Sequence, residues 1–166
     1  LRLAIFLTYI WAISQQKDIQ RVFQYHGAEH KTIYTYEHGL VLKVENVRPF
    51  STLHPRCGTN FLMIVMLISI FIFTFLGWPS LWERIASRII LMPVVAGISY
   101  EIIRFAGKHM DKAWVRTAIL PGLALQKLTT REPDDSQMEV AIASLKAVLP
   151  PEEILEEPAP LVQPGS

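Results

Sequence analysis

Residues 61–78 read FLMIVMLISIFIFTFLGW, 18 residues without a charge. Together with Asn60 they make a helix of about 28 Å at 1.5 Å per residue, close to the roughly 30 Å of a bilayer's hydrocarbon core. A soluble core helix has no need of so long an uncharged run, so this segment reads as a transmembrane helix over 60–78. Downstream, Trp78, Pro79 and Trp82 form an aromatic-rich turn suited to the far membrane interface. Residues 85–105, IASRIILMPVVAGISYEIIRF, supply another span, set at 85–106, with Pro93 and Gly97 as kink candidates. Upstream, residues 1–14 (LRLAIFLTYIWAIS) would cover only about 21 Å. They read as the tail of a truncated transmembrane helix, with Tyr9 and Trp11 at its interfacial end. A signal-peptide core fits poorly, because only Arg2 precedes the run and no small-x-small cleavage site follows Ser14.

Composition agrees. Hydrophobic residues make up 51% of the 166, and the mean hydropathy is +0.27. The formal net charge of +1 and the lack of a basic stripe exclude a nucleic-acid reader by electrostatics. Cys57 is the sole cysteine, so no intrachain disulfide framework exists. Lys and Arg number six over 15–59 against two, Arg84 and Arg88, over 78–88. The positive-inside rule then places 15–59 and the C-terminus in the cytoplasm of a multi-pass inner (plasma) membrane protein.

Between the apolar segments lies Tyr25-His26-Gly27-Ala28-Glu29-His30-Lys31. It fits H-x-x-E-H, the inverted zincin pattern. On a helix, residues four apart share a face, so both imidazoles can reach one divalent metal ion, zinc by ligand type. Glu29 is placed to act as general base on a metal-bound water. Asp18 is an N-cap candidate, and the pattern predicts a helix closing at Gly39. Val22, His26, Glu29, His30, Ile33 and Glu37 fall on one stripe of it. The plainer alternative is an amphipathic helix whose histidines face water.

Further donors follow. The loop 48–60 carries His54 and Cys57, good ligands by type, with a hydrogen-bonding loop histidine and a small buried hydrophobe as the plainer readings. Glu101 lies in the last span and is a ligand candidate in its own right; an i,i+3 pair with Arg104 is its plainer reading. Residues 40–46 (LVLKVEN) alternate and predict one short strand or extended segment. Residues 113–128, broken at Pro121-Gly122, predict an interfacial or re-entrant segment. Within 129–149, Asp135 or Ser136 caps a C-terminal helix, and 150–166, rich in Pro and Glu, predicts a disordered tail.

Four blocks, YHGAEHKT at 25–32, ENVRPFSTLHPRCGTNF at 45–61, PVVAGISYEIIR at 93–104 and LTTREPDDSQMEVAIASLKAVL at 128–149, resemble in the same order the YqhQ-like family of bacterial integral-membrane proteins. The resemblance covers about residues 1–150 and implies metal dependence without an assigned reaction. That family also carries an N-terminal glycine-rich region of the type GGQAVMEGVMMR. It does not occur here, so the chain reads as the C-terminal portion of such a protein.

The expected fold is therefore an all-α polytopic membrane protein with about three transmembrane helices, the first truncated. A cytoplasmic amphipathic helix over 15–59 carries H-x-x-E-H, and a C-terminal helix follows. The expected function is a membrane-embedded metal-dependent hydrolase, a peptidase by analogy. His26 and His30 bind the metal, Glu29 is the base, and His54, Cys57 or Glu101 complete the shell. A non-catalytic scaffold or partner-binding protein is the rival, and an ion-binding transport component using Glu101 and Arg104 the third. The expected partners are the lipid bilayer and a second copy or another membrane protein.

Overall fold

The computed structural model describes residues 1–77 and 80–155 (for Arg2, the backbone alone). Trp78 and Pro79 of the expected interfacial turn, and residues 156–166 of the expected tail, lie outside the described residues. The described chain is all-helical: α1 Arg2–Ile13, α2 Lys17–Glu37, α3 Val44–Val47, α4 Gly58–Thr74, α5 Leu81–Lys108, α6 Ala113–Thr129 and α7 Asp135–Lys146, then a 3₁₀ turn at Pro151–Glu153. It divides into two compact units. The first comprises Leu1–Gln20 and Leu53–Thr130, the second Arg21–Thr52 and the chain from Arg131 onward.

In the first unit α4 packs against α6 and α5, and α1 against α6. Cys57 caps α4, its sulfur accepting from Thr59 N–H. The helix ends at Thr74, ahead of Gly77 at φ 65°, so it starts two residues before the expected span and stops short of it. In the first turn of α4, Asn60 is fully buried and donates from Nδ2 to the Pro55 carbonyl at 2.7 Å. Its Oδ1 lies where a Cβ on Gly122 would be, 1.6 Å away, so α4 and α6 meet at a position only glycine can fill.

That contact explains a correction. Pro121-Gly122 does not break 113–128; α6 runs unbroken with Pro121 inside it. Its buried residues Val115, Ile119, Gly122, Leu125, Gln126 and Thr129 form one helical stripe. Proline removes one hydrogen bond from the ladder, and packing of the whole stripe outweighs that local loss. Likewise α5 continues through Pro93. A full capping box starts it: Ser80 N and Oγ both donate to Glu83 Oε2 at 2.8 Å, and Ser80 Oγ accepts from Glu83 N. Among the described residues α5 is the one helix long and apolar enough to cross a membrane; α4 and Leu3–Ile13 are shorter apolar helices.

The second unit has its own core, built from Ala28 of α2, Leu42, Val47 of α3, and Met138 and Ile142 of α7. Gly39 at φ 64° ends α2, with Leu40 N–H reaching back to the Thr35 carbonyl at 3.1 Å. Residues 40–46 form no strand. Among the described residues there is no second strand to pair with them, and the alternating run turns instead. Lys43 N–H and Asn46 Nδ2 both donate to the Val41 carbonyl, at 3.0 and 2.9 Å, and α3 begins at Val44.

The C-terminal helix is capped by Asp134, one residue before the expected position. Asp134 accepts from Gln137 N while Gln137 Oε1 accepts from Asp134 N. The preceding loop is tied to α2, because Arg131 N–H donates to the Phe23 carbonyl at 2.9 Å. A Cβ on Gly27 would lie 2.1 Å from the Arg131 carbonyl oxygen.

Two predictions follow from these packing and capping contacts. Gly27→Ala pushes a methyl into backbone that cannot step aside, so it lowers stability by about 1–3 kcal/mol or more. Gly97→Ala, whose Cβ meets nothing within 4 Å, is neutral or stabilises by up to about 1 kcal/mol through helix propensity. Thermal unfolding of the two variants beside wild type separates them, and equal melting temperatures would refute the close-approach argument. Hydrogen bonds from the Ser136 hydroxyl and then the Gln137 N–H hold the Asp134 carboxyl below the usual carboxylate range. A lowered folded value means that this contribution is complete above the unfolded value of about 4 and is lost as pH falls through the folded one. Asp134→Asn keeps a capping oxygen without the titration, so wild type should lead the variant above about pH 5 and converge on it in acid. Melting curves against pH read this directly.

Candidate metal centre

The H-x-x-E-H segment lies on α2 as expected, all within the second unit. The His26 and His30 rings meet edge to face, with centroids 4.4 Å apart and planes at 64°. His30 is buried and His26 half-buried. His30 Nδ1 lies 2.5 Å from the Thr52 carbonyl oxygen. A carbonyl can only accept, so Nδ1 carries the proton and the neutral ring's lone pair sits on Nε2. This is the orientation by which an outer hydrogen bond fixes the tautomer of a metal-binding histidine.

The buried face of α2 is not the stripe that periodicity singles out. Gly27, Ala28, His30, Lys31, Thr32 and Thr35 are buried, while Val22, Glu29 and Glu37 are exposed. Small and polar residues can line this face because their polar atoms are satisfied locally. Thr32 Oγ1 donates to the Ala28 carbonyl at 2.8 Å, and Thr35 Oγ1 to the Lys31 carbonyl at 2.9 Å. Lys31 is 3% exposed. Its ammonium donates to the Arg48 carbonyl at 2.8 Å and pairs with Glu132. A buried cation costs several kcal/mol unless it is paired and hydrogen-bonded, and Lys31 is both. It thereby clamps the 48 and 132 loops to α2. Spacing gave no sign of this, since a lysine following His30 reads as surface charge.

Glu29 is exposed, and among the described residues its carboxylate makes no hydrogen bond or ion pair. His54, Cys57 and Glu101 belong to the first unit. His54 is buried, and its Nδ1 accepts from Arg56 N–H at 3.2 Å. The neutral ring therefore carries its proton on Nε2, the tautomer opposite to that of His30, and its lone pair is already engaged. Gln126, fully buried on α6, holds the same residue's backbone: His54 N–H donates to Gln126 Oε1 and Gln126 Nε2 donates to the His54 carbonyl, both at 2.8 Å. Cys57 is buried at the N-terminus of α4, its sulfur 3.0 Å from Thr59 Oγ1. Glu101 is exposed on α5 and paired with Arg104 at 3.3 Å.

The model of the DUF1385 family, proteins of unknown function, matches residues 1–151. The chain belongs to the DUF1385 family. It is 43% identical over 156 residues to the uncharacterized protein YqhQ of Bacillus subtilis (strain 168), a stretch covering 94% of this chain and 49% of that protein. The chain thus spans about half the length of this relative. No solved structure matches it. Within this DUF1385 chain both His26 and His30 fall in the matched region, as do Gln126 and the loop it holds.

Gln126 is a test of that loop. Gln126→Leu removes both bonds; the His54 carbonyl keeps the Cys57 N–H, at 3.3 Å, while the His54 N–H loses its Gln126 acceptor, a loss of about 1–3 kcal/mol. The variant should melt well below wild type; an unchanged melting temperature would show that the loop does not depend on Gln126.

Proposed function

We propose that this DUF1385 protein is a membrane-embedded metal-dependent hydrolase whose divalent ion, zinc by donor type, is bound by His26 and His30. The observation that carries this reading is the His30 Nδ1–Thr52 bond beside the His26 ring. It fixes a buried imidazole with its proton on Nδ1 and its lone pair on Nε2, next to a second imidazole one turn away. With a third protein donor and a bound water, such an ion lowers the water's pKa toward neutrality. Glu29, on the same helix turn, is the proposed base. His54, Cys57 and Glu101 each already have a protein partner, so the metal measurement on their variants identifies the third donor.

The membrane setting is part of the proposal. In it α1, α4 and α5 cross the inner (plasma) membrane, with α2 and the C-terminus cytoplasmic. Support comes from the surface of α5, where Ile89 and Ile90 are each 68% exposed. Water would penalise such a face, whereas lipid would not. A non-catalytic protein with a structural metal centre is the second reading. It is favoured by the exposure of Glu29, which turns the proposed base toward solvent.

Metal content per chain of the full-length protein, purified without chelators, tests the site. About one ion per chain is expected, lost in His26→Ala/His30→Ala. His54→Asn, Cys57→Ser and Glu101→Gln, measured alongside, read which residue supplies the third donor. Glu29→Gln should retain the ion and lose turnover under the hydrolase reading. A chain without metal under these conditions ends the proposal.

A further inference from the structure

The α5 helix has 28 residues, about 42 Å at 1.5 Å per residue. That length matches the roughly 40–45 Å of a bilayer with its headgroup layers. Under the membrane-crossing reading, the C-terminal end of α5 then lies at headgroup level on the cytoplasmic side, where the chain turns into α6. This turn carries Lys108, Lys112 and Arg116, all exposed. Among the described residues their side chains take part in no hydrogen bond or ion pair. Over residues 105–116 the one acid is Asp111. The same turn carries three rings in mutual contact. Phe105 stacks on His109, with centroids 4.1 Å apart and planes at 25°, and Trp114 leans against Phe105 at 5.9 Å. Trp114 is 60% exposed and Phe105 45%.

The cations work against the helix they start. Lys112 is the N-cap of α6 and Arg116 follows four residues on, at the end where the helix dipole disfavours positive charge. No acidic residue in the first turn of α6 offsets them. They do not serve the core either, which here is Val115 and Ile119 buried with Ala106. Charges that cost the helix and lack an internal partner are matched to negative charge outside the molecule. Exposed aromatic rings beside lysine and arginine are the pattern of a membrane interface, with the rings among headgroups and the cations facing lipid phosphates. An acidic protein would suit the cations alone; the apolar area of Trp114 and Phe105 at headgroup level favours lipid.

We propose that the α5–α6 turn is a docking surface for the anionic leaflet of the membrane. Lys108, Lys112 and Arg116 gather acidic headgroups around it, and Trp114 and Phe105 rest among the upper acyl groups. The surface rests on the membrane-crossing reading of α5 and is independent of the metal centre.

The test uses the full-length protein in nanodiscs of mixed phosphatidylglycerol and phosphatidylcholine, with brominated chains on one lipid or the other at constant composition. Trp114 fluorescence is read as the difference between wild type and Trp114→Phe. Quenching should be roughly twofold stronger or more when phosphatidylglycerol carries the bromine, because cations near the surface enrich acidic lipid. Added salt should reduce that preference by screening. Lys108→Gln/Lys112→Gln/Arg116→Gln should remove it and leave Trp114 quenched by both lipids. If the triple variant does not fold, Arg116→Gln, expected to lose part of the preference, takes its place. Equal quenching by the two lipids in wild type, a preference unchanged in the glutamine variants, or a Trp114 that neither lipid quenches would overturn the surface. The last is the outcome expected if a protein covers the turn. Ile90→Trp in the Trp114→Phe background reports the membrane reading separately. Quenched there by either lipid, it keeps α5 in the bilayer even if the surface fails; unquenched, it removes that reading and the surface with it.

Discussion

The second unit depends on one missing side chain. Gly27 lies between the two histidines' helical turns, and the Arg131 carbonyl occupies the space its Cβ would need. The returning chain can therefore lie directly on α2, where Arg131 N–H bonds the Phe23 carbonyl and Glu132 reaches Lys31. From there Asp134 starts α7, which delivers Met138 and Ile142 to the core beside Ala28. The glycine inside H-x-x-E-H is thus a packing requirement. The motif's two unspecified positions, Gly27 and Ala28, are the ones that fasten it to the rest of the unit.

This arrangement bears on the chemistry. A helix that carries two imidazoles is useful to a metal only if its face is fixed. Lys31 and Thr52 fix it from either side of His30, one through a buried ion pair and one through a backbone acceptor. Lys31 also places a permanent cation one residue from His30. Its charge is paired with Glu132. The tautomer imposed by Thr52 is a stronger constraint than the spacing of the motif, because it selects which nitrogen can bind. His54 shows the other tautomer: its Nδ1 accepts from Arg56 N–H.

Much of the helical framework was legible in the sequence, for reasons that single residues make plain. The α2 helix follows from its pattern and from Gly39, whose positive φ ends it as glycine does best. The long apolar segments announce α4 and α5 by composition alone. Family membership was legible from four ordered blocks. What escaped were features decided by contacts distant in sequence. Pro121-Gly122 looks like a break because local rules see two poor helix formers, yet Gly122 is demanded by Asn60 of another helix. Residues 40–46 predict a strand or extended segment by alternation; a strand needs a partner, so what forms is an unpaired stretch with Lys43 extended (φ −140°, ψ 154°) ahead of α3. The buried face of α2 was misread because Thr32 and Thr35 count as polar, although each satisfies its own hydroxyl within the helix. Of the candidate site, the His26–His30 pair was visible from spacing; Thr52, acting through its backbone, left no trace in residue type.

Both units bury polar as well as apolar side chains, and they differ in what they leave exposed. The second buries Ala28, Leu42, Val47, Met138 and Ile142 together, as water-driven collapse requires. The first buries Asn60, Ser99 and Gln126 completely, and leaves Phe71, Ile89 and Ile90 more than 60% exposed. In lipid such an apolar exterior gains nothing from being hidden, so helices must be held by close packing and internal hydrogen bonds. The contacts needed for that are present. Asn60 lies against Gly122 where no Cβ would fit, and Arg56 lies against Gly107 with its Cγ 2.7 Å from an added Cβ. Gln126 binds both backbone groups of His54. If the first unit sits in lipid, glycine contacts and buried amides are its main cohesive forces.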